Sequence, residues 1–405
     1  MIRRLPLAII LIIIGAHLAI ISTPAPYDQS IDLELIEEVF IENDGDKHYP
    51  LRKLINLSLC PNSTSQISSL RRVLVDGDEV KWGEVKIDED ENPYVEIDIS
   101  RLYLGPGENI SLRVETRIRI FRRALHGPVL SVNNSLELED IPSPLREKYT
   151  RKTGLFQVNN EKLREIALNL KGNTTNVLEI VLKFLNWTEY HIKYPFEVSG
   201  ELRLPSYPNE TLEAMIGDCD DQSNLLVTLC RIAGIPAITQ VGYIFEPDRS
   251  FSGQFSGRYR VTLRNVGAHA WALVYIPPWG WIPVDPTFFK GAKIVEGYIR
   301  SEDPLDHILS SAFMMRPVIV GLNIVNSDYV SESREWAKEL YDYNLTWYEC
   351  VELKEVVSEK ITTGVRTLAP VPKEYDRLAV IMLALSTLMI SIILFSARIL
   401  SRRSF

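Results

Sequence analysis

Cysteine is scarce in this chain: Cys60, Cys219, Cys230 and Cys350 are the four in 405 residues, with no Cys-x-x-Cys pair and no histidine at zinc-finger spacing. That pattern excludes a structural zinc site and a disulfide-stapled scaffold, although an exported body would permit a Cys60–Cys350 bridge. Blocks of one-signed charge are also missing. The 44 basic and 53 acidic side chains leave a net charge of −9 dispersed along the chain, which argues against a nucleic-acid partner, whose binding needs a clustered positive footprint. The apolar share is not low. At 46% it is ample for hydrophobic cores in a chain long enough for two or three domains.

Two apolar runs stand out. Residues 5–21 follow Arg3 and Arg4 and read as a signal peptide or an uncleaved anchor within 1–22. Residues 378–395 are apolar on every face and precede Arg398, Arg402 and Arg403, so 377–397 reads as a transmembrane helix and 398–405 as a cytoplasmic tail. Arginines outside both runs predict cytoplasmic termini at a cell membrane and an extracytoplasmic body over 23–376. Eight Asn-x-Ser/Thr triplets, at Asn56, Asn62, Asn109, Asn133, Asn173, Asn186, Asn209 and Asn344, all fall between the runs. Their use as glycosylation acceptors would require that exofacial location.

Within the body, period-two alternation is clearest where Ile110, Leu112, Val114, Ile118 and Ile120 alternate with polar residues, and it recurs over 94–99. Turn signals at Asp76-Gly77 and Gly105-Pro106-Gly107 separate such runs, so 23–145 is expected to be an antiparallel β-sandwich. A proline-marked stretch, 141–154, ends it. Beyond lie two helices, carried by Leu163, Ile166, Ala167 and Leu170 and by Val177, Ile180, Val181, Phe184 and Leu185, then a strand over 190–196. A third helix starts at Gly217-Asp218-Cys219-Asp220-Asp221 and stops at Gly234-Ile235-Pro236. Strands are expected at 238–245, 258–264, 268–276 and 281–285. Helices followed by an antiparallel sheet make an α+β core over 155–290, with a mixed extension over 291–376 in which 318–325 reads as a strand and 331–341 as a helix.

Cys219 is the candidate nucleophile. A thiolate needs stabilisation, which a helix N-terminus offers, and the helical period puts its sulfur on the face of Leu226 and Cys230, toward the interior. Taken alone it would pass for one more buried cysteine; the flanking Asp218, Asp220 and Asp221 make a poor setting for a purely structural one. His269 interrupts the apolar strand Ala268-His269-Ala270-Trp271-Ala272-Leu273. By itself it would read as a satisfied core histidine. If residue 277 marks the middle of the hairpin, Asp285 lies directly opposite it, on the same face and able to orient the imidazole.

The segments Gly217-Asp218-Cys219-Asp220-Asp221, His269-Ala270-Trp271, Gly280-Trp281 and Asp285-Pro286-Thr287 together resemble the transglutaminase-like superfamily, in its order and at comparable spacing. The resemblance covers about 155–290 and is to the membrane-anchored prokaryotic type. It implies a papain-like triad of Cys219, His269 and Asp285, acyl transfer from an amide of a protein or peptide through a thioester, and resolution by water or by an amine. The backbone N–H of Cys219 would be one oxyanion donor, with Trp187 and Tyr194 in the region where the second is often found. No EF-hand loop is present, so the calcium dependence of animal relatives does not transfer, and no cofactor or metal is expected. The alternative is a non-catalytic binding or assembly scaffold at the cell surface. A metal site on Cys219 and His269 would lack further ligands.

Overall fold

The structure is a computed structural model. It describes residues 30–356 apart from 122–126, 196–201, 289–291, 306 and 309–316. Both apolar runs, at 5–21 and 378–395, fall outside the described residues. Among the described residues no helix is long and apolar enough to cross a membrane.

The longer elements are β1 (Ser30–Asn43), β2 (Gln66–Val75), β3 (Asn109–Phe121), α1 (Glu161–Lys171), α2 (Val177–His191), α3 (Cys219–Ile232), β4 (Ala237–Phe255), β5 (Tyr259–Ile276), β6 (Gly280–Val284), β7 (Val318–Ile324), α4 (Tyr329–Asp342) and β8 (Leu345–Glu355). The alternation read over 110–120 is a strand, with Ile110, Leu112, Val114, Ile118 and Ile120 buried on one side. Its wet side faces acids of β1 in direct register, Arg119 opposite Asp32 and Arg113 opposite Glu38. Cross-strand pairs of opposite charge are the sheet's counterpart of helical i,i+4 pairs.

One sheet runs through most of the body in the order β7-β4-β5-β8-β1-β3-β2. Strands on both sides of the boundary drawn at 141–154 therefore belong to the same sheet, joined by β8. The region 23–145 adds a second, smaller layer, Asn56–Ser58 with Pro93–Glu96 and Lys86–Ile87, whose Leu57 and Val95 enter the same core as Leu33 and Ile118. Two amide side chains tie this part to β7. Gln66 exchanges hydrogen bonds with the backbone of Val320 at 2.8 and 2.9 Å, and Asn92 does so with Asn323 at 2.7 and 2.8 Å. Each satisfies main-chain groups that an edge strand leaves open.

The sheet is mixed, a correction to the wholly antiparallel one expected. β8 pairs parallel to β5 over Tyr259–Arg264 and antiparallel to β1. The cause is α4, which carries the chain back between β7 and β8, the kind of crossover that parallel pairing needs. The strands expected at 258–264 and 268–276 are one 18-residue strand, β5. The strand expected over 190–196 does not form in its described part: α2 continues to His191, and Lys193 makes only an isolated bridge to Ile216.

β5 positions the site. One edge is covered by β4 along its length, while the other meets β8 up to Arg264 and β6 from Ala272 onward. Residues between those limits have an edge free of strands. α3 fills that gap. Every residue of α3 from Cys219 to Arg231 is buried, because the helix packs on β4 and β5 on one side and on α1 and α2 on the other.

Candidate active site

The start of α3 is set by its approach chain. A Cβ at Gly217 would come within 2.7 Å of the Asp221 Cβ and 2.9 Å of the Thr211 Cγ2, so glycine is what fits there. Asp218 is the extended N-cap and Cys219 the first helical residue. The helix docks on the open edge at Ala270. The Ser223 hydroxyl is within hydrogen-bond distance of the Ala270 carbonyl (3.3 Å) and of the Cys219 carbonyl (2.6 Å), and the backbone of Ala270 is close enough to favour the Cys219 thiolate. Ala270 follows His269 directly, so the helix N-terminus and the histidine share one gap in the sheet.

His269 is buried beside Trp271 and Phe288, with ring centroids 5.9 and 5.6 Å away. Its Nε2 lies 2.6 Å from Asp285 Oδ2. A carboxylate there assigns the proton to Nε2, and Nδ1 has no hydrogen-bond partner among the described residues. Asp285 Oδ1 accepts from the backbone N–H groups of Thr287 and Phe288, each at 3.0 Å. The pair forms, but the expected register is corrected. Ala272 pairs with Val284 and Ile276 with Gly280, so continuing β6 would set Asp285 opposite Trp271, two residues along from His269. The hairpin is centred on Pro278, one residue later than 277. The carboxylate crosses the diagonal instead, since residues two apart on a strand share a face.

The electrostatics around Cys219 also correct an expectation. Burial pushes its thiol well above the ordinary range, and the carboxylates of Asp218 and Asp220 push it further, while the Ala270 backbone works the other way. Burial is the largest of these influences, and with the flanking acids it opposes the stabilisation expected of a helix N-terminus. Asp218 and Asp221 are themselves raised by burial and then by Asp220. Tyr329 donates to Asp220 Oδ2 at 2.7 Å, and Asp221 Oδ1 accepts from the Ser206 N–H at 2.7 Å. Oδ1 of Asp218 and Oδ1 of Asp220 are buried without hydrogen-bond partners. Donor atoms of Asp218, Cys219 and Asp220 lie within 4.8 Å of one another, the set best placed among the described residues to share a cation.

Tyr194 joins this cluster. It is buried, and its hydroxyl is held in the protonated form by burial first and then by Cys219, Asp218, Asp220 and Asp285. Trp187 stacks on His191. The Cys60–Cys350 bridge is not formed.

Sequence reasoning missed a second buried pair. His307 Nδ1 hydrogen-bonds Glu189, and its Nε2 hydrogen-bonds the main-chain carbonyl of Asp285. Glu189 also accepts from Ser301 through N–H (3.0 Å) and hydroxyl (2.8 Å). A signal existed for one partner: Glu189 continues the buried stripe of Val181, Leu185 and Thr188 on α2, where a charge is out of place.

The sequence model of the Transglutaminase-like superfamily matches residues 164–286. Kyphoscoliosis peptidase of Mus musculus is 29% identical over 134 residues, 32% of this chain and 18% of that protein. The uncharacterized protein YebA of Bacillus subtilis is 39% identical over 149 residues, 35% of this chain and 20% of that protein. The match thus spans about a fifth of the length of these relatives. Among solved structures, a candidate cysteine protease from Cytophaga hutchinsonii aligns with a TM-score of 0.48 at 13% identity, over 84% of this chain and 95% of that one. The periplasmic domain of TgpA from Pseudomonas aeruginosa aligns with a TM-score of 0.31 at 14% identity, over 65% and 94%. Residues 164–286, which hold the helix of Cys219, the strand of His269 and Asp285 at the end of β6, thus carry a transglutaminase-like domain.

Proposed function

We propose that this protein is a thiol acyl-transfer enzyme acting on amide bonds of proteins or peptides, with Cys219 as nucleophile, His269 as general base and acid, and Asp285 as the carboxylate that orients the imidazole. The observation that carries this reading is the 2.6 Å bond from His269 Nε2 to Asp285. It leaves Nδ1 as the nitrogen free to exchange a proton with a thiol on the helix docked at the next residue.

His269 removes the Cys219 proton as sulfur attacks the amide carbonyl, and then gives that proton to the leaving amine. A thioester remains, which water or a second amine resolves. The oxyanion is met by the Cys219 N–H at the start of α3 and by the Tyr194 hydroxyl, which stays an O–H donor in its buried setting. The peptidase named among the relatives supports hydrolysis as the outcome.

The body is assigned outside the cytoplasm at a membrane, between the apolar runs at 5–21 and 378–395. Exposure of Asn62, Asn109, Asn133, Asn173 and Asn186 supports this, since a used acceptor must reach solvent.

The test is iodoacetamide labelling of Cys219 against pH, by mass spectrometry, beside His269→Ala. The expected result is labelling at neutral pH, below the ~8.5 of a free thiol, that falls at least tenfold in the variant. Equal rates in both proteins would end the triad reading. A second reading, a binding scaffold, is favoured by one observation, the 2% exposure of Cys219 among carboxylates that keep it protonated. Full biological function with Cys219→Ala would establish it.

A further inference from the structure

We infer that His307 and Glu189 form a positioning pair that holds the main chain of Asp285, and through it the orientation of His269. The inference rests on the triad reading for its catalytic consequence, though its geometry stands without it. Asp285 leaves β6 just after the last paired residue, Val284. No ladder hydrogen bond from β5 holds it, yet its carboxylate must reach diagonally to His269. Three contacts substitute for the ladder. Thr287 and Phe288 fix Oδ1 from the C-terminal side, and His307 fixes the carbonyl oxygen.

Both nitrogens of His307 are held, Nδ1 by the Glu189 carboxyl group and Nε2 by the Asp285 carbonyl. A carbonyl only accepts, so Nε2 carries the proton of that bond. The other oxygen of Glu189 accepts from Ser301. His307 and Glu189 are 0% and 1% exposed, so the arrangement is a buried, hydrogen-bonded pair, and removing one half leaves the other buried without its partner. Its function follows from where it ends. It grips the triad residue that follows the end of β6, and it draws on Glu189 of α2 and on Ser301 to do so. His307 therefore acts through Asp285 rather than on substrate.

The experiment uses the full chain carrying 15N-labelled histidine. His307→Leu removes the donor to the carbonyl. In the double variant E189Q/H307Q the new amides can pair with each other while one still donates to Asp285. Folding is checked by near-ultraviolet circular dichroism. Expected for folded His307→Leu are a shifted or exchange-broadened His269 Nε2–H resonance and a roughly tenfold loss of Cys219 labelling at neutral pH. In the double variant both should return to within about threefold of the parent. An unchanged His269 resonance in folded His307→Leu, or no recovery in a folded double variant, overturns the inference.

If His307→Leu does not fold, the parent protein decides. A His307 Nε2–H signal protected from solvent exchange, assigned by its loss in the double variant, is expected, and an Nε2 without a proton overturns the proposal. Should Cys219 prove indifferent to His269 in the parent, the triad reading fails separately, and the resonance of His269 still reports whether His307 holds Asp285.

Discussion

At the scale of single residues, the site combines a well-made pair with an unfavourable surrounding. His269 and Asp285 satisfy each other, whereas Asp218 and Asp220 crowd the thiol and bury one unpaired oxygen each. The unpaired Asp218 carboxyl is raised above its ordinary 3.8 by burial. An acid raised in the folded state binds its proton more tightly there than in the unfolded chain, so the stability it contributes is present below pH 3.8 and is lost as pH rises through the folded value. Asp218→Asn should therefore match the parent in melting temperature near pH 4 and exceed it near pH 8, with scanning calorimetry as the check. Removing that carboxylate should also lower the Cys219 thiol and speed its alkylation at neutral pH severalfold; slower labelling would show that Asp218 assists the thiol instead.

At the scale of elements, the gap in the edge of β5 is what makes a site possible, and its opposite edge must be rigid to support it. Gly242 pairs with His269 across that edge. A Cβ there would fall 1.9 Å from the Ile319 carbonyl oxygen, where β7 closes in at a register shift of β4. Backbone cannot yield as a flexible side chain does. Gly242→Ala should destabilise the fold by about 1–3 kcal/mol in urea titration and slow Cys219 labelling in the folded protein. A neutral substitution would mean that β7 moves freely on β4.

Little of this element-level arrangement was legible beforehand, for specific reasons. The period of two marked β3 and β5 as strands, and the period of 3.6 marked α1, α2 and α3, because burial of one face imposes those periods on the residues themselves. Where a strand's partner lies, and in which direction it runs, leaves no such mark. β8 alternates as cleanly as β3, with Leu345, Trp347, Glu349, Val351 and Leu353 buried, and nothing in that pattern says that it pairs parallel to β5 or antiparallel to β1.

At the scale of the whole molecule, β8 is the strand that unites the body. It lies between β5 and β1 and so joins strands separated by about 215 residues of chain into one sheet. A chain ending at residue 343 should lose its single cooperative unfolding transition, and the separate piece 155–290 should not fold to a reactive Cys219. Circular dichroism melts and labelling check both. If 155–290 folds alone, the core is an independent domain and the shared sheet is a docking feature rather than a requirement.

The amino-acid sequence by itself determined the chemistry available: a cysteine opening a helix, a histidine in an apolar strand and an aspartate after the next one, in an order that marks the superfamily. These were readable because residue identity and local period survive in one dimension. Tertiary structure alone decided the rest. The diagonal reach of Asp285 follows from a hairpin centred one residue later than assumed, the upward push on the Cys219 thiol from burial beside its own neighbours, and the grip of His307 from a loop-borne residue meeting a glutamate 118 positions away. Each depends on distances through space and on the loss of water, and neither is written in the spacing of residues along a chain.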